Sequence, residues 1–498
     1  MNVNPITRLD YPDPDVIRVE DTYYMVSTTM HFMPGCEILQ SFDLVHWEHV
    51  TYVYETLDHT DAQQLKSGQN IYGQGMWAAS LRYHEGRFYI CFVANDTRKT
   101  YLYTSEKIDG PWKKQLIEGF YHDGSLLFDE DGRNYIVYGN DEIWITELNE
   151  DLTAPKKDGL HRLLVSDHKN PELGYEGSHI QKINGYYYIF LIHSQRDRWM
   201  RTEACFYSDS LEGEFTGGDV LCDDRGYCGQ GVAQGGIVDT PDGKWYAMLF
   251  QDSGAVGRIP ILLPVTWKDH FPVFGQNGHV PEEIEVHSTR PGYIYQPLVG
   301  SDDFCNGLLP RWQFNHDPDP RYYHLDALQG TYTITTREVC TELTQAVNTL
   351  TQRMSYPSCA AEVTVDASAL KEGDVAGLCA LQGCYAAVGI TKHHGKYEVL
   401  MLDKKEDGIL DMTEGTVVES HQMDFRLEAD FCNMKDEARC YYRVNKGDWL
   451  PIGTVHKLYF KLDHFTGCRF GLFCYAAEKT GGSACFRDFK YYDVDEIS

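Results

Sequence analysis

The sequence has no basic run, no long apolar run and no metal-type cysteine spacing, and each gap removes a class of function. Only 44 of its 498 residues are Lys or Arg, against 74 Asp and Glu, for a formal net charge of −30. Nucleic-acid binding relies on clustered cations, so no nucleic-acid partner is expected and a neutral ligand such as a sugar fits. No stretch approaches the roughly 18 uninterrupted apolar residues of a membrane-spanning helix, so no membrane partner is expected either. The first residues, MNVNPITRLDYPDPDVIRV, lack the basic-then-apolar order of a secretory leader. The 15 cysteines are scattered singly. Close pairs such as Cys222 with Cys228 and Cys379 with Cys384 do not match a CxxC metal pattern. An odd count with no leader predicts reduced thiols and a cytoplasmic location.

A repeated pattern fills the first 297 residues. A candidate site residue is followed nine positions later by a hairpin turn, and an aromatic-rich strand comes next. The five frames are DPDVIRVEDTYYMVS from Asp13, WAASLRYHEGRFYICF from Trp77, DGSLLFDEDGRNYIVY from Asp123, EGSHIQKINGYYYIFL from Glu176 and QGGIVDTPDGKWYAML from Gln234. They place turns at Thr22, Gly86, Gly132, Gly185 and Gly243. Five similar β-units of roughly 45 to 65 residues predict an all-β, five-bladed β-propeller over 1–297. From about residue 298 the frame is lost and ten or so short strands follow, from GTYTITT to CFRDFKYYDV. That spacing predicts a β-sandwich of jelly-roll type over 298–498.

The repeat brings five residues to one equivalent point of each unit, and three are carboxylates: Asp13, Asp123 and Glu176. Cleaving a glycosidic bond needs one acid to protonate the leaving oxygen and a carboxylate to activate water or attack. A third carboxylate nearby disfavours ionisation of the acid by like-charge repulsion. Pro12 and Pro14 restrict the backbone around Asp13. Asp15, two residues on, competes with Asp13 for the same role. Trp77, Gln234, Phe32 in TTMHFMPGC and Arg258 in AVGRIP are candidate substrate contacts, Trp77 and Phe32 as apolar walls and Arg258 as a fork of donors.

These segments resemble family 43 of the glycoside hydrolases. YPDPDVIRV is similar to that family's catalytic-base segment, HDGSLLFDEDG to its second Asp segment, YEGSHIQKINGYYYIF to its general-acid segment and AVGRIPILLPVTW to its Arg-bearing strand. The second half resembles the family's appended β-sandwich. The resemblance implies inverting, exo-acting release of L-arabinofuranose, D-xylose or both from short oligosaccharides. It implies Asp13 as base, Asp123 as modulator of the acid, Glu176 as acid and Arg258 as a substrate contact. It also implies a sandwich loop that narrows the pocket. Two positions depart from the family's pattern: Ala79 stands where many relatives have Pro, and Gln234 where many have His. A neutral amide is a poorer transition-metal ligand than imidazole, so no catalytic metal and no required cofactor are expected, with structural calcium and homo-oligomer formation left open. An endo-acting arabinanase and a non-catalytic carbohydrate binder are the alternatives.

Overall fold

The computed structural model describes residues 2–493, and among these no α-helix occurs; helical turns are confined to short 3-10 stretches such as Lys66–Gly68. No helix is long and apolar enough to cross a membrane. Five four-stranded antiparallel sheets form the blades of a propeller. Their innermost strands are Asp15–Val19, Ser80–His84, Ser125–Phe128, Glu176–Ile183 and Ala233–Asp239. Each innermost strand touches the next around the ring, and the fifth touches the first. Residues before the first blade close the ring against the third strand of the fifth, Arg258–Lys268. The Ile6 N–H donates to Pro260 O at 2.9 Å and the Tyr11 N–H to Arg258 O at 3.1 Å.

Blades stack face to face, so their second strands are covered on both sides. That is why Tyr186–Ser194, YYYIFLIHS, is a continuous apolar run rather than an alternating one. The outermost strands meet water and read accordingly, as in KKQLI of Lys113–Ile117, where only Ile117 is buried. Gly86, Gly132, Gly185 and Gly243 lie in the hairpin loops, all with positive φ. The first blade differs from expectation. Its loop is Glu20–Asp21, and Thr22 opens the second strand opposite Val19. The nine-residue spacing is thus one residue short there, with Glu20 taking the left-handed conformation at φ 55°. In blades 4 and 5 bulges between Glu176 and His179 and between Ala233 and Gly236 absorb an extra residue.

The second half is a sandwich of two antiparallel sheets. One contains Tyr323–Asp326, Thr331–Thr335, Ser483–Asp493, Ser358–Asp366, Gln422–Asp430, Glu437–Val444 and Leu450–Lys457. The other runs from Gln313–Asn315 through Leu350–Arg353, Arg469–Ala476, Asp374–Leu381, Ala386–His393 and Lys396–Lys404. Its edge is extended by a piece of the propeller: Phe32–Met33 pairs with Phe314 and Asn315. Ala255, Val256 and Ile259 of blade 5 are buried in the sandwich's own apolar core. The two halves therefore share a sheet and a core. All fifteen cysteines are unpaired.

Candidate active site

At the top of three inner strands the chain enters the left-handed region: Asp13 at φ 53°, Asp123 at 47° and Gln234 at 63°. In the fourth blade the residue after Glu176, Gly177, does so at 65°. Such conformations cost roughly 1 kcal/mol or more for a residue with a Cβ, and their recurrence at one level of the ring marks a built site. Gly177 is required twice over, because a Cβ there would also lie 2.7 Å from Cδ of Gln234.

The three sequence-nominated carboxylates converge on the propeller axis. Asp13 accepts on both oxygens, from Thr28 Oγ1 at 2.6 Å and Arg258 Nη1 at 2.8 Å. The Arg258–Asp13 pair is almost wholly enclosed, at 3% and 7% exposure. Asp123 is buried and accepts the Gly177 N–H at 3.1 Å. Burial pushes its carboxyl up, and the charges of Glu176 and Asp13 add to this against His122, to about 6. Glu176, the more open of the three, accepts Asn140 Nδ2 at 2.7 Å. Asp15 is buried and engaged elsewhere. It is saturated by the Leu81 N–H at 2.7 Å, Arg82 Nη1 at 2.8 Å and His179 Nδ1 at 3.1 Å. Burial alone would raise Asp15, but Arg82 and His179 outweigh it and hold it below the usual carboxylate range.

The structure separates the other candidates. Trp77 is half-buried at the site, its ring 5.9 Å from that of His122 and 5.6 Å from that of Phe465. Arg258 reaches Asp13 under the ring of Phe465, whose centroid lies 4.2 Å from its guanidinium. Gln234 is buried, with its N–H donated to Glu203 Oε2 at 2.7 Å. Burial pushes the Glu203 carboxyl well above its ordinary range, and that side chain supports the turn at Gln234. Phe32 does not line the site. It is 1% exposed and packs with Leu343, Val375, Cys379 and Tyr385 of the sandwich, under the guanidinium of Arg469 at 3.4 Å. The edge pairing of Phe32–Met33 draws it into the domain junction. Ala79 is buried between blades 1 and 2 rather than on the rim.

Four residues complete the site that sequence reasoning did not nominate. His122, Thr28 and Asn140 sit beside or within the quoted frames, where adjacency was their only signal. Phe465 comes from a sandwich loop and had none. That loop is held down by Gly467, whose N–H donates to Asp10 Oδ2 at 2.7 Å, and by Cys468, whose N–H donates to Ala255 O at 2.8 Å. His464 beside it stacks on Tyr72, in the segment joining blades 1 and 2, at 4.0 Å. The imidazole Nε2 of His122 lies 3.5 Å from Asp123 Oδ2 and 3.6 Å from Glu176 Oε2. Burial opposes charge on His122, but Asp123 and Glu176 outweigh it and hold the imidazole up to about 9. Ligand atoms of His122, Asp123 and Glu176 fall within 4.8 Å of one another. The arrangement offers a carboxylate fixed by a guanidinium, a second, more open carboxyl and a buried third that feels the charge of both, with the rings of Trp77 and Phe465 nearby.

Both halves of the chain match known protein families. The family model Glycosyl hydrolases family 43 matches residues 3–272, and Beta xylosidase C-terminal Concanavalin A-like domain matches 301–492. A beta-xylosidase of Formosa agariphila is 26% identical, over 99% of this chain and 89% of its own length. A non-reducing end alpha-L-arabinofuranosidase of Bacteroides ovatus is 25% identical, over 66% of this chain and 63% of its own. Among solved structures, a bifunctional GH43-CE protein of Bacteroides eggerthii superposes with a TM-score of 0.92 at 42% identity, over 98% of this chain. The chain spans 63% of the length of that protein.

Proposed function

The chain belongs to family 43 of the glycosyl hydrolases and is a glycosidase, and from that premise we propose that it is an inverting, exo-acting enzyme that releases L-arabinofuranose, D-xylose or both from the non-reducing ends of short hemicellulose-derived oligosaccharides. The observation that carries this reading is the Asp13–Arg258 pair in one site with Asp123, whose buried carboxyl feels the charges of both Glu176 and Asp13. Glu176 donates its proton to the leaving glycosidic oxygen. Asp13, an acceptor on both oxygens, takes a proton from a water that attacks the anomeric carbon from the opposite face. An inverting pair stands about 6.5 to 9.5 Å apart to leave room for that water. Asp123, the third acid of the site, lies beside them and is fixed by the Gly177 N–H.

Exo action is supported by two aromatic rings. Trp77 and Phe465 pack ring against ring, 5.6 Å apart, next to His122 and Arg258, an apolar wall that suits a single terminal sugar better than a through-running polymer. Relatives named beta-xylosidase and arabinofuranosidase support both pentoses as candidates. Every step uses this chain's own side chains, without a metal. The test is kcat/KM on 4-nitrophenyl α-L-arabinofuranoside and 4-nitrophenyl β-D-xyloside, with Asp13→Asn as the blank. Turnover of at least one above the blank is expected, and a large ratio between them names the sugar. No turnover of either would overturn exo-pentosidase action and leave endo cleavage or binding in its place.

A further inference from the structure

His122 does more than balance charge. Its Nε2 is buried in the site with no hydrogen-bond partner, because 3.5 and 3.6 Å to the two carboxylates are ion-pair distances rather than closed hydrogen bonds. A buried donor left open costs free energy, and polar groups left open inside a binding site are the ones a ligand fills. The imidazole is also rigidly carried: the His122 carbonyl accepts the Gly139 N–H at 3.0 Å, and the next residue is the left-handed Asp123. The side chain keeps 20% exposure and is tilted 58° to the Trp77 ring. Its open nitrogen thus lies between the acid, the buried Asp123 and the aromatic wall.

We propose that His122 is a further substrate-binding and specificity-determining residue of this site, whose Nε2–H donates to a hydroxyl of the sugar seated against Trp77. This rests on the pocket taking a terminal sugar, as argued above. The charged groups facing His122 are Asp123, Glu176 and Asp13, all acidic. They hold the ring protonated at neutral pH, so both nitrogens carry hydrogen. Arabinofuranose and xylopyranose present their hydroxyls at different places around the anomeric carbon, so one fixed donor at this point separates them.

The test pairs substrate and enzyme deletions. kcat/KM is measured for wild type, His122→Phe and His122→Gln on the turned-over 4-nitrophenyl pentoside and on its monodeoxy analogues. In wild type, removal of one particular hydroxyl is expected to cost roughly 10- to 100-fold, the range of a hydrogen bond to a charged donor. His122→Phe is expected to lose a similar factor on the parent and to be nearly indifferent to that deletion. His122→Gln, which keeps an N–H donor, is expected to recover part of both, and it carries the test alone if His122→Phe does not fold. Full sensitivity of the variants to every hydroxyl deletion would overturn the contact, as would wild-type rates in His122→Phe. Failure of wild type to turn over any pentoside would instead sink the glycosidase specificity on which the contact depends.

Discussion

Phe465 offers the sharpest perturbation of the pocket, because it belongs to the sandwich and yet covers the Arg258–Asp13 pair. Its ring lies 4.2 Å from the Arg258 guanidinium, a cation–π contact worth about 0.5–2 kcal/mol. The same ring screens the Arg258–Asp13 pair, now 3% and 7% exposed. Removing it admits water and weakens the hold on the base. Together these effects amount to roughly 1.5–3 kcal/mol of transition-state stabilisation, or about 10- to 100-fold in kcat/KM. Phe465 also sits at φ 58°, a conformation glycine adopts freely and alanine does not. Phe465→Ala and Phe465→Gly should therefore lose similar activity on the 4-nitrophenyl pentoside, while the glycine variant melts no lower than the alanine variant. Steady-state kinetics and thermal unfolding read the two orders separately. A kcat/KM within twofold of wild type for Phe465→Ala would refute the covering role of the sandwich.

Three further outcomes follow from other parts of the structure. Asp10 accepts the Arg258 N–H at 2.8 Å and the Gly467 N–H at 2.7 Å on separate oxygens; Asp10→Asn can satisfy only one, so a stability loss of about 1–3 kcal/mol with a fall in kcat/KM is expected, and an unchanged melting temperature would count against the tether. Asp123, raised to about 6 by burial and its acidic neighbours, gains a proton as pH falls through that value, so kcat/KM should decline below about pH 6; a decline beginning only near 4 would contradict this. His31 and His316 are pushed well below their usual 6.5 by burial, and His464 down to about 4. They are neutral when folded, whereas the unfolded chain takes up protons below 6.5, so stability is full above that value and is lost as pH drops toward 4. Melting temperature should fall over that window, and less steeply in His31→Phe; equal slopes would contradict the assignment.

The propeller was legible because its signals are local: Asn184–Gly185 and Glu85–Gly86 close hairpins, and YYYIFLI is apolar throughout because blades cover it on both sides. The acids were legible because each stands at the top of an inner strand in a repeated frame. What the repeat could not show was geometry between distant segments. Phe32 looked like a wall residue, yet its strand crosses to Asn315 and buries it at the domain junction. Thr22 fitted the spacing only because the first hairpin is one residue shorter. Phe465 lies more than 450 residues from Asp13 in the sequence, on a loop whose placement depends on Asp10, and no local pattern marks it. His122 stood next to Asp123 throughout, but an imidazole between two carboxylates appears only when blades 3 and 4 are side by side.

Inversion with Asp13 as base and Glu176 as acid is tested most directly by the stereochemistry of the first product. Proton NMR of the anomeric signals during early turnover of the preferred 4-nitrophenyl pentoside resolves the newly formed sugar before it mutarotates. Inversion is expected, α-xylose from a β-xyloside or β-arabinofuranose from an α-arabinofuranoside, with no product from Asp13→Asn. A first product of retained configuration would mean that a carboxylate attacks the sugar itself, contradicting the roles assigned to all three acids.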